Sequence, residues 1–176
     1  MKKLMTGVAI AALFLSACKY KSETTTTTSD SAAMMTAKNK QTAMNTELAF
    51  NKHNADSVFK DCAPGFTELG DGTGKAMKNM DSIKMGLKSF LTAFPDFKGE
   101  KLHAFAEGDS VIVTGIWSGT FKGTYMKMKP TGKTYNAPDV DIFTFNKDGK
   151  ITSHSSVQSE ATFLYQLGVP MPQKKK

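Results

Sequence analysis

The chain has 176 residues and a net charge of +7, with 40% hydrophobic and 22% charged residues. That length fits one domain with extensions, and a folded stretch of about 130 residues would bury roughly two-thirds of its unfolded surface. The composition excludes a collagen, a disulfide scaffold and a fully disordered chain, and without an apolar run near ~18 residues it also excludes a polytopic membrane protein.

The charge sits at the ends. All 23 cationic residues are lysine; Lys2, Lys3, Lys19, Lys21 and the closing lysines 174–176 lie outside a stretch, 36–173, that carries 16 Lys against 14 acids. Arginine is the residue of bidentate phosphate and guanine contacts, so a near-neutral body without it argues against nucleic acid as a partner. The stretch 174–176 reads as a solvated basic tail.

Met1-Lys2-Lys3 precedes an apolar, small-residue stretch from Leu4 to Leu15 that is too short to span a bilayer. Leu15-Ser16-Ala17-Cys18 follows and resembles the bacterial lipobox. The resemblance implies a signal peptide over 1–17, cleavage before Cys18, and lipidation of Cys18 as a membrane anchor. Lys at position 19 favours the outer membrane of the cell envelope. Residues 18–35 then read as the lipidated Cys and a disordered tether, because the run Thr24 to Thr28 and its polar neighbours have nothing to bury. With Cys18 consumed by lipid, Cys62 is left without an intrachain partner and reads as a buried structural thiol.

The folded part, 36–173, opens with helices. Met44, Leu48 and Asn51, with Ala43 and Phe50 nearby, predict a helix from about 36 to 53. A short helix over 55–62 stops at Ala63-Pro64-Gly65, and Phe66 to Leu69 reads as a short strand. The Gly-rich run 70–74 lacks the Gly-Lys-Ser/Thr ending of a phosphate loop and reads as a connector. Ile83, Leu87, Phe90, Leu91 and Phe94 form the best helical stripe, capped by Asp81 or Ser82 and ended by Pro95.

Beyond Pro95 the period becomes 2. Strands are predicted over 98–107, 111–118, 140–145 and 151–158, with turns at Glu107-Gly108-Asp109 and 146–149. Both faces of the second of these are apolar, which predicts a central strand or one covered on both sides. A last helix, Glu160 to Leu167, ends at Gly168. The fold class is α+β, with a curved antiparallel sheet wrapped around the N-terminal helices.

Several short segments carry a family likeness in the right order: 93–97, 107–111, 118–123, 130–133, 139–143, 148–151 and 165–168. Together they resemble the SnoaL-like polyketide or ester cyclase family of the nuclear transport factor 2-like superfamily. The resemblance implies a cone-shaped domain with an apolar pocket at its wide end, cofactor-independent chemistry, and members that often pair through the sheet, hence a possible homodimer. It also implies a pocket Asp in the strand after Asp148-Gly149-Lys150-Ile151. That strand, Ile151 to Ser159, has no carboxylate; Ser156 or Ser159 stands at the acid position.

Chemistry must then come from elsewhere. Asp139 and Asp141 share a strand face with Phe143 and Phe145. Asp139 reads as solvated, in the turn after Pro138. Asp141 among aromatics is the candidate general base; desolvation would raise its pKa. His154, on one face with Ser156 and Gln158, is its candidate partner. Trp117, Tyr135 and Phe143 are candidate pocket walls. His53 and His103 read as surface or helix-end residues. Three scattered histidines predict no metal site, and no cofactor is expected.

Three functions remain open. The first is an envelope lipoprotein that binds a small, largely apolar molecule in its cone pocket without a strong catalytic apparatus. The second is a cyclase or isomerase with Asp141 as general base. The third is a scaffold for dimerisation or partner docking.

Overall fold

The computed structural model describes residues 24–72 and 75–171. Cys18 and the signal segment lie outside the described residues. Helix α1 (Thr24–Phe50) is followed by α2 (Ala55–Val58), β1 (Cys62–Glu68), α3 (Met80–Ala93), β2 (Lys98–Glu107), β3 (Ser110–Thr120), β4 (Thr134–Phe145), β5 (Ile151–Ser156) and α4 (Glu160–Leu167). No described helix is long and apolar enough to cross a membrane.

The strands form one open sheet in the order β1-β5-β4-β3-β2. β2 to β5 are antiparallel neighbours, but β1 runs parallel to β5, so the sheet is mixed rather than wholly antiparallel. Pairing β1 with β5 needs contacts across the whole domain, which local periodicity does not encode. β1 also starts earlier than expected, at Cys62, because Pro64 and Gly65 fall inside it at a register break; Gly65 takes a positive φ of 81° there.

Helix α1 begins at Thr24, so the stretch expected as a disordered tether is helical through residues 24–35. Residues 30–34 are exposed and bury nothing. Helical hydrogen bonds are local, and once the packed half of α1 is formed, Ala32, Ala33, Met34 and Met35 extend it readily. The buried stripe of α1 is also rotated from the predicted one. Leu48 is 44% exposed, whereas Asn39, Ala43, Thr46 and Glu47 are buried.

Helix α3 is capped by Asn79, whose side chain accepts a hydrogen bond from Ser82 N at 2.9 Å, rather than by Asp81 or Ser82. α4 has the expected bounds, with Ser159 as N-cap and Gly168 in the left-handed region at its end. Two apolar clusters fill the concave side of the sheet. One holds Leu91, Phe94, Phe97, Trp117, Phe121, Tyr135 and Leu167; the other holds Ala43, Phe66, Ile83, Val111, Val113, Phe143, Phe145 and Ile151. β3 lies inside the sheet, the first of the two predicted alternatives, and its outer face is open: Ile112 is 40% exposed.

Candidate active site

Strand β4 supplies the floor. Its alternation turns Tyr135, Ala137, Asp139, Asp141, Phe143 and Phe145 inward as one buried row. The strand begins at Thr134 rather than Val140, so Asp139 lies within it and is buried instead of solvated in a turn.

Strand β5 supplies the imidazole. His154 Nε2 lies 3.0 Å from Asp141 Oδ1, and Nδ1 lies 2.8 Å from Glu68 Oε2, at the end of β1. Burial works against a charge on His154, but these two hydrogen bonds and the two negative charges outweigh it and hold its pKa well above the ordinary histidine value. With a carboxylate oxygen at each ring nitrogen, the site favours the imidazolium form, which donates from both. Phe143 packs beside its ring, centroids 4.8 Å apart.

The carboxylates differ in what they have left to offer. Asp139 Oδ2 accepts a hydrogen bond from Ser156 Oγ at 2.7 Å, and Oδ1 accepts from Val140 N at 2.6 Å. Asp141 is 6% exposed and has only Oδ1 engaged; Oδ2 is buried without a partner. Glu47, on α1, is 2% exposed, and its Oε1 also has no partner. Burial, then the charges of Asp141 and Asp139, push the Glu47 carboxyl well above its usual range, with His154 pulling it partly back. Burial and Asp141 raise Asp139 too, against the hydrogen bonds from Ser156 and Val140.

These groups line a chamber of about 200 Å³ bounded by Glu47, Asp139, Asp141, Ser156 and Gln158 and walled by Phe50, Phe90, Phe97, Trp117 and Tyr135. A wider groove of about 450 Å³ opens beside it along α3, past Met77, Tyr125 and Met126; it shares Phe50, Phe90 and Ser156 with the chamber and reaches His154, which the chamber does not. The chamber is apolar on its walls and acidic on its floor.

The structure thus brings together Asp141, His154, Trp117 and Tyr135. Phe143 lies on the far side of His154, where it lines a void of about 30 Å³ rather than the chamber. His53 lies in the turn after α1 and contacts the Phe97 carbonyl at 2.7 Å, while His103 is exposed on β2. Sequence reasoning missed Glu68 and Glu47. For Glu47 a signal existed, since Ala43, Glu47 and Phe50 fall at i, i+4 and i+7 of one helix face.

Glu47, Asp141 and His154 each place one ligand-capable atom within 4.8 Å of the others, the only spacing among the described residues that suits a metal ion. His154 as held has no lone pair to give, because Asp141 and Glu68 occupy both nitrogens. Coordination would require Nε2 to lose its proton and Asp141 to turn away from it. The arrangement that stands suits proton transfer: a carboxylate held at one oxygen by His154, with the other oxygen unpartnered, on a residue that lines an aromatic chamber.

The sequence profile of SnoaL-like polyketide cyclases matches residues 40–167. The chain belongs to the SnoaL-like polyketide cyclase family. AclR from Streptomyces galilaeus is 26% identical, with a TM-score of 0.66 over 77% of this chain and 99% of its own. TsrD from Streptomyces laurentii is 16% identical, with a TM-score of 0.65 over 76% and 97%. A phenazine biosynthesis-related protein from Pseudomonas aeruginosa is 18% identical, with a TM-score of 0.66 over 84% and 96%. The latter two share the fold, helices packed on one open mixed sheet. No curated protein sequence matches the chain. Against the SnoaL-like family pattern, β5 carries Ser156 where an acid is expected, but Asp141 stands directly opposite it across the β4–β5 ladder.

Proposed function

We propose that this SnoaL-like domain binds a small carbonyl compound in the aromatic chamber and transfers a proton at the carbon next to the carbonyl, as a cyclase or isomerase does. One observation carries the reading: Asp141 lines the chamber with Oδ1 pinned by His154 and Oδ2 buried without a partner. Asp141 takes the proton through Oδ2. His154 fixes the carboxylate, and Glu68 fixes His154. Asp139, with both oxygens engaged, is a structural neighbour. No cofactor is needed for this step, because an acidified carbon and a positioned base suffice.

The test uses 2-tetralone, a bicyclic ketone with exchangeable α-protons, in D2O with NMR detection. Wild-type protein should accelerate exchange, and Asp141→Asn should lower that acceleration at least 100-fold. No acceleration by the wild type would overturn the reading.

The setting of the domain is part of the same proposal. Cys18 carries the lipid that tethers the domain to the cell envelope, in the outer membrane, and α1 projects the domain from it. Cys18→Ser should move the protein from the membrane to the soluble fraction; full membrane retention with normal maturation would contradict the anchor. A second copy would cover the outer face of the sheet, where Phe105, Ile112 and Ile142 stand side by side in register and Phe105 is 62% exposed. Light scattering should then give a dimer mass, and Ile112→Lys a monomer.

A further inference from the structure

The chamber holds more negative charge than proton transfer uses. We infer that its ligand carries a cationic amine, which the chamber receives on Glu47 between aromatic walls. The inference rests on the reading of the chamber as the ligand site and names the class of molecule that enters it.

Three carboxyl groups line the chamber, and none of the described lysines does. The one internal cation, His154, is bound edge-on by Asp141 and Glu68 and so is already matched. Two buried carboxylate oxygens, Glu47 Oε1 and Asp141 Oδ2, have no donor in the protein. A buried Glu47 carboxylate without a donor is disfavoured, so its ionised form calls for a group with several N–H donors in the cavity it lines. An ammonium offers three, with a positive charge. Phe50, Phe90, Phe97, Trp117 and Tyr135 complete the site, since aromatic faces attract cations. An anionic ligand is excluded by the same charges.

The elevated pKa of Glu47 fits this reading. Facing Asp139 and Asp141 from β4 and His154 from β5, the empty chamber keeps a proton on Glu47. A bound ammonium would replace that proton, so amine binding releases one proton and tightens as pH rises.

The chain has a single tryptophan, Trp117, and it lines the chamber, so its fluorescence reports this site alone. The experiment titrates full-length protein, in the presence of EDTA, with benzylammonium and with benzyl alcohol, which have nearly the same shape and differ in charge. Benzylammonium should bind at least tenfold more tightly at pH 7.5, and its affinity should rise from pH 5.5 to 7.5. Glu47→Gln should remove most of the preference and leave benzyl alcohol affinity within twofold. Equal or tighter binding of the alcohol, no binding of the amine, or an unchanged preference in a folded Glu47→Gln protein would each overturn the inference. If that variant does not fold, the wild-type comparison decides alone. Exchange of 2-tetralone without amine preference would leave proton transfer standing and remove the amine. Amine preference without exchange would do the reverse.

Discussion

His154 does not sit opposite the residue it binds. Across the β4–β5 ladder its partner is Phe143, and its Nε2 reaches the diagonal neighbour Asp141 at 3.0 Å. Ser156 repeats the geometry one step along: it pairs with Asp141 and bonds Asp139 at 2.7 Å. Diagonal neighbours on one sheet face lie within reach of long polar side chains. The twin contacts fix both aspartates, and they leave Asp141 Oδ2 as the free acceptor on the floor.

The cluster makes stability fall as pH rises. His154 has a folded-state pKa above its unfolded value, so its contribution is complete below about 6.5 and is lost as pH climbs through the raised value. Glu47 and Asp139 are raised as well, so the folded state again holds protons that the unfolded chain releases above about 4. All three act in one direction. Urea unfolding should show a higher midpoint at pH 5.5 than at pH 8, by about 1 kcal/mol or more, since one pKa unit is worth about 1.4 kcal/mol. Glu47→Gln should flatten the dependence, and a midpoint rising over this range would contradict the assignment.

Much of this was readable from the sequence, and the exceptions share a cause. α3, α4 and β2 to β4 announce themselves because apolar residues mark their buried faces. In α1 the buried stripe is Asn39, Ala43, Thr46 and Glu47, largely polar, so hydrophobic periodicity pointed to Leu48 instead. The face that holds the chemistry is the face that hydrophobicity conceals. Asp141 and His154 could be found because a strand alternates by two whatever its residues. Glu68 could not, because its place beside His154 depends on the parallel β1–β5 pairing, which joins residues 62–68 to residues 151–154.

Gly115 sets the position of the chamber wall. A Cβ there would lie 2.7 and 2.8 Å from two ring atoms of Trp117 and 2.6 Å from Leu102 Cδ2. Leu102 can swing aside, but the indole is buried against the core and must tilt. Gly115→Ala should therefore cost about 1–3 kcal/mol and shift the Trp117 emission. Unchanged stability and emission would show that the wall is soft.

Cys62 should be a poor nucleophile. Burial, and then the charges of Asp61 and Glu68, push its pKa to about 12. In a Cys18→Ser background, its reaction with iodoacetamide at pH 8 should be at least ~10-fold slower in the folded than in the urea-unfolded protein, because only the thiolate reacts. Equal rates would place the thiol in solvent.

The central claim is that a buried imidazolium pins one oxygen of Asp141 and leaves the other bare. Nitrogen-15 NMR of the histidine side chains measures this directly, with His154→Gln assigning the signal among the three histidines. The account predicts that both His154 ring nitrogens stay protonated at pH 7.5 and that the Nε2 proton signal vanishes or moves in Asp141→Asn. A neutral His154 with one bare nitrogen at that pH would contradict it.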